Sequence, residues 1–336
     1  MERILIIKLG ALGDVVRTLP IAEALKKKNP KSEITWITKK DTISLFEGNP
    51  FIDKVSPLPF HTQEQFQKLY NFDIEPEAMR LAGEIKAERK CGFYTEDDYP
   101  QSYNVTGEYY LNTLFDDETK KTNVKTYQEM MFAVAELPYQ QEQPHLYLNE
   151  EEQQYGEAFL KEKKIKREKL LGVHMGASSR WPSKVWHQER LSAFIKKAKK
   201  RGYEILLFAG PNEEKDHALL IKSLEKKGIN IQRNNPRNSM REFAALVNIC
   251  RTMICLDSFA LEIALALEKP TVGLFFCTPP HEIEGYRLLK KITSPLLKEF
   301  FPERMDQYDP ELTRSISEDE VLAAVEEIER NGADNS

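Results

Sequence analysis

The residues best placed to do chemistry in this chain are acids, hydroxyls and cations that follow short apolar runs. Lys8-Leu9-Gly10-Ala11-Leu12-Gly13-Asp14 comes directly after Arg3-Ile4-Leu5-Ile6-Ile7. The order reads as a strand, a glycine-bearing turn and a helix start, which brings the Asp14 carboxylate to the mouth of a strand-to-helix loop. Open α/β sheets bind and transform their ligands there. Gly10 and Gly13 read as loop glycines, free to take backbone angles other residues resist and to let a ligand approach the main chain. The spacing is not G-x-G-x-x-G, so the segment is no dinucleotide fingerprint. Taken alone, a tight turn with Asp14 capping the helix is the simpler reading.

Three further strand ends change that balance. After the apolar run Leu170 to His174 comes a loop holding Gly176, Ser178, Ser179, Arg180, Ser183 and Lys184 ahead of a helix. Backbone N–H groups, hydroxyls and two cations at a helix N-terminus suit a diphosphate without a Walker lysine; a solvated loop with incidental charges is the alternative. The turn Ala209-Gly210-Pro211-Asn212-Glu213-Glu214 offers the Glu213 carboxylate to a ribose hydroxyl pair, although capping by Asn212 also explains it. At Leu256-Asp257-Ser258, entering an apolar helix, Asp257 and Ser258 read either as caps or as neighbours of a bound phosphate. Polar groups at three strand ends on one rim point to a common crevice. His174 reads as a packed residue, Trp181 and Trp186 as packing beside a helix start, and His281-Glu282 as loop surface. The basic run Lys196 to Arg201 reads as a solvated helix end whose cations complement the dipole.

These groups need a scaffold of alternating strands and helices. Strands are predicted over Arg3 to Leu9, Glu33 to Thr38, Lys54 to Leu58 and Gln67 to Asp73, then over Leu170 to His174, Glu204 to Ala209, Ile229 to Arg233, Thr252 to Leu256 and Thr271 to Phe276. Helices are predicted from about Asp14 to Lys28, kinked or begun at Pro20, near Asp41 to Glu47, from Glu75 to Ile85 and from Asn123 to Leu137. Later ones span His187 to Lys200, Asn212 to Lys227, Ser239 to Cys250, Phe259 to Glu268 and, after a capping box at Ser317 and Glu320, a last helix to about Glu329. Between Pro138 and Lys169 the composition turns to Gln, Glu and Lys, which marks an interdomain hinge, with Glu150 to Lys164 as a charged helix. Two α/β domains in tandem follow, 1–150 and 151–336, with room for the last helix to pack back on the first.

Composition narrows the class. A chain of 336 residues, 41% of them hydrophobic, can build about two cores. A net charge of −5 leaves no surplus of cations for sequence-independent nucleic-acid binding, so no nucleic-acid partner is expected. No charged leader with an apolar core and no bilayer-length apolar run is seen, and a cytoplasmic protein is expected. The scattered cysteines Cys91, Cys250, Cys255 and Cys277 indicate neither zinc nor disulfides, so no metal site is expected.

Together, ILIIKLGALGDVVRTLP at 4–20, GVHMGASSRWPSKVW at 172–186, FAGPNEE at 208–214 and LDSFALEIALALEKPTVGLF at 256–275 resemble glycosyltransferase family 9, the ADP-heptose:lipopolysaccharide heptosyltransferase family. The resemblance spans nearly the whole chain. It implies a GT-B fold, α/β with two Rossmann-like domains whose parallel sheets face across a cleft, the first binding the acceptor and the second the nucleotide-sugar donor. It further implies inverting, metal-independent transfer, most simply of heptose from ADP-heptose to a lipopolysaccharide-core-type or other glycan acceptor, with no cofactor beyond the donor. Asp14 is similar in placement to the family's catalytic base. Ser178, Ser179 and Lys184 resemble its diphosphate-binding loop, Glu213 a ribose-binding acid, and Asp257 with Ser258 the motif beside the donor phosphates and sugar. In the family that motif usually continues as D-[ST]-x-x-x-H; here Glu262 takes the histidine position and Phe259 that of a common glycine. An acid beside a diphosphate adds repulsion unless it is protonated, turned away or used on a different sugar. Two rival readings therefore stand beside transfer, a non-catalytic GT-B binding protein and a sugar-nucleotide epimerase. A lipid-linked acceptor would imply peripheral contact with the inner membrane face.

Overall fold

The structure is a computed structural model that describes residues 1–176 and 180–333. It divides into two units, Met1–Tyr147 with His281–Glu284, and Leu148–Pro280 with Gly285–Ser336.

The first unit runs β1 (Arg3–Ile7), α1 (Leu12–Thr18), α2 (Pro20–Lys28), β2 (Glu33–Thr38), β3 (Lys54–Pro57), β4 (Phe66–Asn71), α3 (Pro76–Glu84), β5 (Ala87–Glu96), β6 (Tyr99–Ser102), α4 (Val105–Phe115), α5 (Asp117–Thr122) and α6 (Tyr127–Val134). Its sheet has the order β3-β2-β1-β4-β5-β6, parallel except for the β5–β6 hairpin. The central strand β1 is buried from Ile4 to Ile7, as an uninterrupted apolar run must be when helices cover both faces.

The second unit contains α7 (Glu150–Lys163), β7 (Leu170–His174), α8 (Gln188–Lys200), β8 (Glu204–Phe208), α9 (Glu214–Glu225), β9 (Gln232–Arg233), α10 (Met240–Ile249), β10 (Thr252–Leu256), α11 (Phe259–Ala266), β11 (Thr271–Phe275), β12 (Leu289–Thr293), α12 (Leu297–Phe300), α13 (Pro310–Arg314) and α14 (Glu318–Ala333). Its order, β12-β11-β10-β7-β8-β9, is parallel throughout. In each unit the chain winds out to one side of the first strand and then returns to wind out to the other, the doubly wound Rossmann pattern.

Several details depart from the sequence expectations for local reasons. The first predicted helix is two, broken at Leu19, with Pro20 opening α2 where its missing N–H costs nothing. Gly13 is no loop glycine, because it lies inside α1, and neither it nor Gly10 takes a positive φ. Instead, a Cβ at Gly10 would run into the Glu75 carboxylate, so the requirement there is space. The hairpin β5–β6 and α4 occupy a stretch for which no element is predicted, because edge strands with polar faces carry little periodic signal. The edge strand β12 was likewise not expected. The helix predicted over Asn123 to Leu137 shrinks to α6, since the capping box of Thr126 and Glu129 starts it later. The capping box of Ser317 and Glu320 forms, and the last helix, α14, packs on α8, β11 and β12 within the second unit. Its apolar face, Val321, Leu322, Ala324 and Val325, belongs to that unit's core.

The charged helix α7 is held in the second unit by α10. Gly156 lets the two helices approach, since a Cβ there would sit 2.7 Å from Ile249 Cγ2. Beside it Arg241 donates to both oxygens of Glu152, at 2.6 Å each, with the side chains only 9% and 12% exposed. Burial raises the Glu152 carboxyl, but Arg241 and the Asn149 N–H outweigh it and leave Glu152 below its ordinary value. A carboxylate so held stabilises the fold above the unfolded-state pKa, and the contribution disappears as pH falls through the lower folded-state value. Glu152→Gln is therefore expected to cost about 3 kcal/mol at neutral pH by stranding Arg241. In paired urea melts of wild type and variant, the gap should narrow as pH drops below about 4; a gap that stays constant to pH 3 contradicts the assignment.

Candidate functional site

In the first unit the strand order reverses between β1 and β4, which pair in register from Ile4 with Lys68 to Ile7 with Asn71. Loops leaving these two strands diverge and leave a polar crevice at their carboxyl ends. Lys8 follows β1, and its buried ammonium lies 3.3 Å from Asp73 Oδ2 and 3.9 Å from Asp14 Oδ2. Asp73, just past β4, also pins the turn. Its Oδ2 accepts from the N–H groups of Leu9 (2.9 Å) and Gly10 (3.0 Å), and its Oδ1 from that of Glu75 (2.9 Å). Behind it, the Asn71 amide donates to the carbonyls of Asp73 (3.0 Å) and Phe93 (2.7 Å), fixing β4 to β5. Burial opposes the Lys8 charge, but Asp73 and Asp14 outweigh it and leave the ammonium above its ordinary value. Burial raises Asp73, and Lys8 with the three N–H donors brings it below its ordinary value.

Asp14 sits in the first turn of α1 without capping it, for the N-cap is Ala11 and makes no side-chain bond. Its Oδ1 accepts from Arg17 Nη2 (2.6 Å) and Nε (3.2 Å). The Arg17 guanidinium lies 4.0 Å over the Tyr127 ring, which fixes its plane. With its side chain 28% exposed, Asp14 is reachable, unlike Asp73 at 4%. The arrangement presents an accessible carboxylate held between two cations.

In the second unit the reversal falls between β7 and β10, paired from Leu171 with Thr252 to His174 with Cys255. Lys184, beyond β7, reaches Asp257 Oδ2 at 2.6 Å, and both side chains are largely buried. Asp257 therefore orients the lysine. Ser258 is the N-cap residue of α11 but makes no side-chain cap, and its hydroxyl is buried without a partner among the described residues. Glu262 lies in the first turn of α11 at 3% exposure. Glu213 ends the loop after β8, and its Oε2 accepts from the Gly210 N–H at 2.9 Å. A Cβ on Gly176 would stand 3.0 Å from that carboxylate, so the loop after β7 passes close to it. Capping of α9 by Asn212 is not seen, because the helix starts at Glu214 with Glu213 as N-cap. Ser178 and Ser179 lie outside the described residues. A cavity of about 450 Å³ opens beside Glu213, lined by Met175, Trp186, His217 and Tyr308 among others.

The aromatic and histidine candidates resolve as packing. Trp186 is buried and donates from Nε1 to the Ile316 carbonyl at 3.0 Å. His174 meets the Phe243 ring edge-on at 5.9 Å, and burial, with His217 nearby, pushes it down to about 4. Three members of the cluster around Asp14 escaped the sequence reading. Lys8 and Arg17 stood inside the quoted motif but offered no sign of where they point, and Asp73 joins them only because β4 lies beside β1.

Two doubly wound units, each with its polar groups at the strand reversal, define a protein of the GT-B class. The chain matches glycosyltransferase family 9 (heptosyltransferase) over residues 90–303 and belongs to that family, a family of glycosyltransferases. It is 23% identical over 348 residues to lipopolysaccharide heptosyltransferase 1 of Campylobacter coli, covering 97% of this chain and 98% of the relative. Among solved structures it resembles the family 9 glycosyl transferase of Veillonella parvula, with a TM-score of 0.76 at 19% identity and 97% coverage of both chains. It also resembles the E. coli ADP-heptose lps heptosyltransferase II, with a TM-score of 0.71 at 17% identity and 98% coverage of both. Among the described residues no helix is long and apolar enough to cross a membrane.

The packing reading of His174 makes a prediction. Its imidazole should remain neutral from pH 8 to below 5 and titrate near 4 in an NMR titration. A midpoint near 6.5, the ordinary value, would mean that the ring is solvated or faces an acid.

Proposed function

We propose that this chain is an inverting glycosyltransferase that moves heptose from ADP-heptose onto a glycan acceptor of the lipopolysaccharide-core type. The observation that carries the reading is Asp14, a reachable carboxylate at the first unit's strand reversal, held by Lys8 and Arg17. In the proposed step Asp14 takes the proton of an acceptor hydroxyl. The oxygen's electron pair forms the new bond to the anomeric carbon while the bond to the diphosphate oxygen breaks on the opposite face, its pair leaving with ADP. General-base help of this kind is worth about 10² to 10⁴ in rate. The positive character that develops on the sugar resembles that in glycoside hydrolysis.

The second unit is assigned the donor. Lys184, oriented by Asp257, the buried Ser258 hydroxyl and the N-terminus of α11 supply charge and donors for the departing diphosphate, together with Ser178 and Ser179. Metal-independent transfer without a cofactor is the corresponding expectation. Glu213 suits the ribose hydroxyls once it exchanges its Gly210 contact for them. Support for heptose comes from the lipopolysaccharide heptosyltransferase of Campylobacter coli, and for ADP-heptose from the E. coli ADP-heptose lps heptosyltransferase II. A lipid-linked acceptor would bring the protein, cytoplasmic in this reading, to the inner membrane face.

A second reading, another nucleotide sugar as donor, is favoured by one observation. Glu262 is buried in the first turn of α11, where an acid complements the helix dipole but also lies near the proposed diphosphate. Thermal-shift screening of nucleotide sugars, followed by product analysis with and without acceptor, separates the readings. ADP-heptose should give the largest shift and react only when acceptor is present; a larger shift with another donor selects the second reading. Isomerisation of donor alone would make the chain an epimerase, and no nucleotide binding at all would make it a non-catalytic protein.

Asp14→Asn should lower turnover about 10²- to 10⁴-fold with the Kd for ADP unchanged. Lys184→Met should weaken ADP binding about 10- to 100-fold, the loss of one charge-assisted contact. Transfer that survives Asp14→Asn, or needs added divalent metal after chelation, contradicts the mechanism.

A further inference from the structure

A lysine with only 5% of its side chain exposed is costly to bury, and Lys8 needs a reason. Pinning the turn is not enough, since Asp73 already accepts three backbone N–H groups that serve that purpose. The second carboxylate within reach supplies the reason. Asp14 directs Oδ1 to Arg17 at 2.6 Å and leaves Oδ2 at 3.9 Å from the Lys8 ammonium. That distance is too long for a hydrogen bond but short for a charge interaction in a water-poor crevice. Lys8 thus attracts Oδ2 without occupying its lone pairs, while Asp73 at 3.3 Å keeps the ammonium from closing on it.

Resting on the proposed role of Asp14 as base, we infer that Lys8 is a positioning residue: anchored by Asp73, it holds the Asp14 carboxylate against the pull of Arg17 and leaves Oδ2 open to the acceptor hydroxyl. Without it, both oxygens of Asp14 fall to the guanidinium as a bidentate pair, the geometry arginine prefers. The other titratable groups facing this cluster are Tyr110 from α4 and Tyr127 from α6. Burial pushes both phenols well above their ordinary value, so they stay neutral over the pH range of an assay.

Lys8→Met alone strands the buried Asp73 and threatens folding, so the decisive variant is Lys8→Met combined with Asp73→Asn, which removes both buried charges. Steady-state kinetics, a kcat–pH profile, a thermal melt and a crystal structure are measured on wild type, the double variant, Asp73→Asn and Lys8→Arg. A double variant that melts near wild type is expected to show kcat lowered tenfold or more, with KM for donor and acceptor little changed. Its kcat–pH profile should differ from that of wild type. Lys8→Arg, which keeps the charge, should retain most of the wild-type profile. In the crystal, Asp14 of the double variant should place both oxygens on Arg17. Wild-type kcat and profile in the double variant would show that Lys8 only neutralises Asp73, and an unmoved Asp14 would overturn the inference whatever the kinetics. If wild type transfers no sugar, or Asp14→Asn matches wild type, the proposed base role fails, and the crystal comparison alone then decides whether Lys8 positions Asp14.

Discussion

A parallel sheet that winds outward in both directions from its first strand leaves two neighbouring strands whose following loops must part. At that parting the backbone cannot fill the space, and polar side chains collect where main-chain amides and helix N-termini already point. The constraint operates in both units. Between β1 and β4 it gathers Lys8, Asp14 and Asp73; between β7 and β10 it gathers Lys184, Asp257 and Ser258.

The two places solve the problem of buried charge in related ways. In each, a lysine follows the unit's first strand and an acid follows its fourth, at 3.3 Å in the first unit and 2.6 Å in the second. A lone buried ammonium would lose its proton, whereas one facing a carboxylate keeps it. The difference lies in what the acid does besides. Asp73 is occupied by three main-chain donors and so acts as a fixed anchor of the turn, while Asp257 stands at a helix start beside a buried, unpartnered serine hydroxyl. The first pair therefore shapes a loop beside a reachable carboxylate, and the second stands at the N-terminus of α11.

Glu262 is the residue at which family membership and local chemistry disagree. An acid in the first turn of α11 is good for the helix and, at 3% exposure, poor for a neighbouring anion. Helix stability alone does not explain placing a buried carboxyl there, because α11 is already buried from Ala260 to Ala266.

Much of the architecture could be read along the chain. Runs such as RILII and TMICL have no polar alternation, so they belong to strands covered on both faces, and β2, β7 and β10 begin and end where the pattern says. Capping chemistry is equally local, which is why Pro20 and the Ser317–Glu320 box mark helix starts correctly. Asp14, Lys184, Glu213 and Asp257 were visible because a single acid or cation after an apolar run is a one-dimensional signal. The hairpin β5–β6 was not, since an edge strand half in water shows no distinct period. Nor were the partnerships. Asp73 lies 65 positions and three strands beyond Lys8, and nothing in spacing tells that β4 will lie against β1. Sequence thus determined which groups are offered, because types and local periods are properties of short segments. Tertiary structure decided which charges face one another, because Coulomb energy depends on distances that only the order of strands in the sheet creates.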